Sequence, residues 1–136
     1  MNREEWKVEF EKTLAAKKAE IEKLLDEEML DDDGYPSDAA LRIIELWHWD
    51  DVRGWFKFIE NIWHLRSWGW SEGIFKEDNG FDTADKERYE YHISTAGWSG
   101  NESIIHAMQE NDMLWHITWV QSRRGGHYIF EGKELE

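Results

Sequence analysis

The chain has no cysteine. Disulfides, thiolate catalysis and cysteine-held zinc or iron–sulfur centres are thereby excluded, and a reducing compartment is the natural expectation. Pro36 is the only proline in 136 residues. No apolar run approaches the roughly 18 residues that a membrane-spanning helix requires. The opening MNREEWKVEF lacks the apolar stretch of a signal peptide. These absences lead to the expectation of a cytoplasmic protein without a membrane anchor. Positive charge is scarce as well: 16 Lys and Arg stand against 30 Asp and Glu, a net charge of −14. Such a chain repels nucleic-acid phosphates and anionic lipid, so no direct nucleic-acid binding is expected. The partner that its charge attracts is a basic protein surface. The plainer alternative is that the charge only keeps the protein dissolved.

What is abundant is aromatic: 10 Trp, 6 Phe and 4 Tyr. Each ring removes a large apolar area from water when buried, so the chain is not a disordered one, and its length suits a single domain over residues 1–136. The acids are unevenly placed. Residues 1–38 hold 13 Asp/Glu and 6 Lys/Arg, a net of −7, and the remaining 98 hold 17 and 10, again −7.

The pattern along the chain predicts an α+β fold. Residues 1–30 carry a long amphipathic helix over 3–29, capped by Asn2 with Glu5 three residues on, and striped by Trp6, Phe10, Leu14, Ile21, Leu24 and Met29. Asp31 to Ser37 is a loop by composition. Two further helices fill 38–64: one over 38–48, with Leu41, Ile44, Trp47 and Trp49 inward, and one over 51–64, with Val52, Trp55, Phe56, Ile59, Ile62 and Trp63 at helical spacing. From residue 70 to 132 the period changes to that of an antiparallel sheet of three to four strands: 70–76, Arg88–Thr95, Met113–Gln121 and His127–Glu131. Asn79-Gly80 signals a turn, Arg123 to Gly126 another, and a short helix over 101–110 is inserted.

Four groups of residues are candidates for chemistry. The segment from Ser94 to Glu102 joins a strand to a helix start, and the backbone around Ser99, Gly100 and Asn101 is a candidate anion cradle. It is neither a Walker loop nor a nucleophile elbow, and a capping box of Ser99 with Glu102 explains it equally. Arg123 and Arg124, followed by His127, form a basic turn suited to a phosphate or carboxylate, although Gly125-Gly126 is also what a tight hairpin needs. His92, His116 and His127 fall on three expected strands and would gather across one sheet face near Glu90 or Glu131; exposed or internally satisfied histidines are the simpler reading. Finally, Asp26, Glu27, Glu28, Asp31, Asp32 and Asp33 make an acidic run. With Gly34 as the sixth position of a calcium loop, Met29 would be the first and Ala40 the twelfth; neither is a ligand, so the run is a solvated turn or a docking patch for a basic partner. No metal and no cofactor is called for.

The strings GWSGNESII from Gly97 and SRRGGHYIF from Ser122, with Trp115 and Trp119 between them, resemble a pattern in small uncharacterised phage and prophage proteins. The resemblance covers about residues 88–131 and implies a phage-borne chain inside a host cell; it implies nothing about catalysis. Three functions follow as expectations. The first is a non-enzymatic, acidic interaction protein that binds a basic surface of a host or phage protein, for instance to inhibit a defence or nucleic-acid-handling system. The second is a small anion- or nucleotide-binding module using Ser99 to Asn101 with Arg123, Arg124 and His127. The third is a phage structural or assembly accessory that works as a homo-oligomer through its long first helix.

Overall fold

The computed structural model describes residues 2–77 and 86–132, the side chains of 75–77 and 86–88 excepted. The expected turn at Asn79-Gly80 lies outside the described residues. Three helices come first: α1 (Arg3–Leu24), α2 (Asp38–Leu46) and α3 (Val52–Ile62). Each starts at an oxygen-bearing cap. Asn2 accepts from the Glu5 amide at 2.9 Å, Ser37 from Ala40 at 3.1 Å and Asp51 from Gly54 at 3.0 Å, which satisfies amides that have no partner inside the helix. A single turn, α4 (Arg66–Gly69), leads into β1 (Trp70–Glu77) and β2 (Lys86–Ser94); then follow α5 (Ser99–Glu110), α6 (Asp112–Thr118), β3 (Trp119–Arg123) and β4 (His127–Gly132). The α+β expectation holds, with three N-terminal helices and a four-stranded antiparallel sheet of order β1-β2-β4-β3.

The register sorts the sheet into two faces, because residues opposite each other share a side. Tyr91 pairs with Glu72 and Phe130, and Ile93 with Trp70 and Tyr128. This face meets the helices. Phe56 of α3 stacks on Tyr91 with ring centroids 3.9 Å apart and meets Phe130 at 5.4 Å. Around them lies one buried cluster that draws on α2, α3, α5, α6, β2 and β4. The other face carries Glu90, His92 and Ser94 from β2 with His127, Ile129 and Glu131 from β4.

Two buried asparagines tie the connections down. Asn111 donates to the carbonyls of Ile44 and Trp47, both at 2.9 Å, which fixes the end of α2. Asn101 accepts from the His64 amide and donates to the His64 carbonyl, each at 3.0 Å, and donates to Thr95 at 3.4 Å. Backbone polar groups that leave water must find such partners.

Three expectations are corrected. Residues 113–118 are helical, not a strand; β3 begins only at Trp119. Asn111 caps α6 by accepting from the Leu114 amide, and Leu114 and Thr118, four residues apart, are buried on one side. A helix cap and a helical burial period outweigh the strand preference of Trp, Ile, Thr and Val here. The first helix ends at Leu24, because Met29 to Ser37 forms its own small hairpin: Ser37 donates to Met29, and Leu30 bridges Pro36. The capping box of Ser99 with Glu102 does not form; Trp98 is the N-cap of α5, and the Ser99 hydroxyl donates to Tyr35 at 3.2 Å.

Candidate functional site

The candidate anion loop and the arginine turn lie at one end of the sheet. Ser94 pairs with His127, and His127 with Arg123, so the end of β2, the start of β4 and the end of β3 are neighbours. Thr95 donates to the Gly126 carbonyl at 2.9 Å, joining the two loops directly. Gly126 has φ +78°, and a Cβ there would overlap the Thr95 hydroxyl, so the turn requires glycine for its angle and for the close approach. Not every predicted residue reaches this end in usable form. Gly100 is buried under the Trp98 ring, and Asn101 is wholly buried, its carboxamide spent on His64 and Thr95. Ser99 is exposed and turned toward Tyr35. Arg123 and Arg124 are exposed; Arg123 donates to Gln121 at 3.1 Å, and among the described residues neither arginine forms an ion pair.

His127 sits between. Its Nδ1 lies 2.6 Å from the Ser94 hydroxyl, and its ring is 5.9 Å from that of His92, whose Nε2 meets Glu90 at 2.8 Å. Partial burial, then the His92 and Arg123 charges, hold the His127 pKa below the usual histidine value. The imidazole therefore favours its neutral form. The expected third histidine is elsewhere: His116 is on α6, with Nδ1 2.7 Å from the Asp112 carbonyl. Among the described residues no three His, Asp or Glu side chains are placed to hold a metal.

The acidic run has an internal architecture. Asp31 accepts from the amides of Asp33 and Tyr35, both at 2.9 Å, and so shapes the turn. Asp26, Glu27, Glu28, Asp32 and Asp33 are exposed around it.

A feature that the sequence did not reveal lies on the helical side. Trp49, expected inward, is 47% exposed, and Phe10 of α1 is 55% exposed. The two are linked through His48, whose ring lies 6.3 Å from Phe10 and 5.1 Å from Trp49. Beyond Trp49 opens a groove of about 670 Å³, walled by Trp49 and Ile117 and floored by Val52, Thr118 and Gly132. Before it, between α1 and the 47–51 turn, lies a cup of about 240 Å³ lined by Trp47, His48, Asp50 and Asp51 with Lys18 and Glu22. Ile117 faces this groove only because residues 113–118 are helical. The signal available in the sequence was the Asn111-Asp112 cap.

The fold is thus of the α+β class, a four-stranded antiparallel sheet with helices against one face. No described helix is long and apolar enough to cross a membrane. No family model, curated protein or solved structure matches the chain.

Proposed function

We propose that the chain is a non-enzymatic interaction protein that binds a basic surface of another protein. The observation that carries this reading is the exposure of Phe10, Trp49 and Ile117, with the half-buried His48 ring between Phe10 and Trp49, on a chain of net charge −14. Exposed apolar surface gathered in this way marks an interface more often than an accident of folding. The surrounding acids attract a cationic partner from a distance, and these side chains then supply the contact. The resemblance of residues 88–131 to phage and prophage proteins points to a partner in the host cytoplasm, a defence or nucleic-acid-handling protein whose phosphate-binding surface is basic. The immobilised chain is tested against polylysine and against the basic proteins of a host lysate at low and high salt. Retention at low salt that is lost at about 0.5 M salt, where the Debye length falls to about 4 Å, supports the reading. Absence of retention at low salt overturns it.

A second reading is favoured by one specific observation: among the described residues Arg123 and Arg124 form no ion pair, and their turn is joined to a neighbouring loop. It is an anion-binding module with the two guanidiniums as its parts; the Thr95 and Gly97 amides of the adjoining loop are already donated, to the Gly126 carbonyl and the Thr95 hydroxyl. A thermal-shift series with phosphate and nucleotides checks it. A stabilisation abolished by Arg123→Ala with Arg124→Ala supports this reading; no shift removes it.

A further inference from the structure

The groove walled by Trp49 and Ile117 has an interior suited to one kind of occupant. Val52 and Gly132 on its floor are buried. Thr118 is 1% exposed, and its hydroxyl is already donated to the Leu114 carbonyl at 2.5 Å. Apart from Asp50 and Glu131, which also line the groove, its interior presents carbon, and an apolar side chain is what it accommodates. Its volume, about 670 Å³, is ample for one or two such side chains.

The neighbouring cup is also largely apolar, with Ile21 and the Trp47 ring in its lining, but more charged groups border it. It shares Asp50 with the groove, and its lining combines the carboxylates of Glu22, Asp50 and Asp51 with the aromatic rings of Trp47 and His48, against the single cation of Lys18. The Trp47 indole N–H is spent on the Asp51 carbonyl at 3.0 Å. What remains is ring surface beside carboxylates, two of them already engaged within the protein: Asp50 with His48 Nδ1 at 2.6 Å and Asp51 with the Gly54 amide at 3.0 Å; such a surface suits an ammonium or guanidinium group. The two hollows adjoin, so a chain that fills both carries its cation close to its apolar anchor.

Charge decides among the occupants. A second copy of this protein would bring another −14 to the same surface, and nucleic acid or anionic lipid is repelled for the same reason. We propose that the groove and cup together are the docking site for a cationic peptide segment of a partner protein, which inserts an apolar side chain between Trp49 and Ile117 and sets a lysine or arginine beside Asp50. This rests on the interaction reading above and narrows it to one site and one partner chemistry.

The test uses the whole chain and three short labelled peptides, followed by fluorescence anisotropy at low salt. The first alternates Leu and Lys, the second has Ser for Leu, and the third has Glu for Lys. The Leu–Lys peptide binds; each of the others binds at least about tenfold more weakly, because both hollows must be filled. Trp49→Ala and Ile117→Asp each weaken the Leu–Lys peptide at least about tenfold. Trp68→Ala, at another exposed tryptophan, leaves binding unchanged. Ile117 is 50% exposed, so its substitution spares the fold, which a circular-dichroism melt verifies. Ile117→Asp is the decisive variant because it adds a negative charge: attraction by charge alone makes it bind more tightly, whereas a groove makes it bind more weakly. Binding that is unchanged or tightened, or equal binding of the Ser-substituted peptide, overturns the groove while leaving the broader reading of a basic partner intact. Failure of every cationic peptide and of polylysine overturns both. Light scattering that shows a dimer abolished by Ile117→Asp gives the groove to a second copy and overturns the proposal.

Discussion

Helices α1 and α3 both carry aromatic and aliphatic side chains and meet different fates. α3 has 11 residues, five of them buried: Val52, Trp55, Phe56, Ile59 and Ile62. α1 has 22, none of them buried, with Trp6 left 65% exposed. Both carry aromatic and aliphatic positions, but 12 of the 22 residues of α1 are charged against 3 of the 11 of α3, so the stripe of α1 is much the weaker. The rest of the difference lies in what stands opposite. α3 lies over the sheet, where Tyr91 and Phe130 receive Phe56. α1 rests on α2, a helix of nine residues. At 1.5 Å per residue α1 is about 33 Å long and α2 about 13 Å, so the N-terminal part of the stripe on α1 extends past its support. Leu14, Ile21 and Leu24 reach half-burial; Trp6 and Phe10, a turn or more beyond, do not. A periodic stripe tells which side of a helix seeks cover. Whether the rest of the fold is long enough to supply that cover is a separate matter.

The largest test of this contrast is Phe56→Ala. It removes a wholly buried ring that touches Trp55, Tyr91 and Phe130, and urea unfolding should show a loss of about 3–5 kcal/mol. A loss under about 1 kcal/mol would mean that α3 is not the central packing element and that the contrast with α1 is false. Next comes Asn111→Ala, at the end of the α2 platform that α1 rests on. It strands the Trp47 carbonyl and the Leu114 amide, while the Ile44 carbonyl keeps the Trp55 indole N–H, at a cost of about 1–3 kcal/mol.

Most of the fold was legible in the sequence because its signals agree with one another. Asn2 caps α1 as its position predicts, Ser37 and Asp51 cap α2 and α3 next to the expected helix starts, and Tyr91, Ile93 and Phe130 alternate inward as strand residues should. The failures occur where two signals compete. Leu114 to Val120 reads as a strand by residue type and as a helix by its cap, and the tertiary bonds of Asn111 decide for the cap. The site was legible in part. That the arginine turn and the Ser94–Gly97 loop share one end of the sheet follows from the strand order, which sequence period does not encode. The burial of Asn101 follows from its bonds to His64, 37 residues away. The groove was invisible, since placing residues 113–121 in a strand sent Ile117 elsewhere.

Removing the helix caps sharpens the comparison at a smaller scale. Asp51→Ala deprives α3 of the bond to Gly54 and should lower global stability by about 0.5–2 kcal/mol, because α3 unfolds only with the core. Asn2→Ala removes the equivalent bond from α1. There the loss should stay local: faster amide hydrogen exchange in the first turn of α1, and no shift of the urea midpoint. A midpoint that moved equally in both variants would show α1 to be as tightly coupled to the core as α3.

The smallest effect on stability is expected from the most conspicuous residues. Trp6→Ala and Phe10→Ala delete large rings, yet both rings stand mostly in water, so little burial is lost and unfolding should shift by no more than about 0.5 kcal/mol. In Phe56 the same ring chemistry is expected to matter several times more, so paired measurement of Phe10→Ala and Phe56→Ala isolates cover from composition. Phe10 then separates from Trp6 on function. Phe10 meets His48, the ring that leads to Trp49, whereas Trp6 lies a turn further from it. Phe10→Ala should weaken capture of a cationic apolar peptide, and Trp6→Ala should weaken it less. Equal loss in both would extend the interface along the whole of α1. Loss in neither would confine it to the 47–51 turn and α6, and would leave the exposed stripe of α1 as the consequence of a platform too short for its helix.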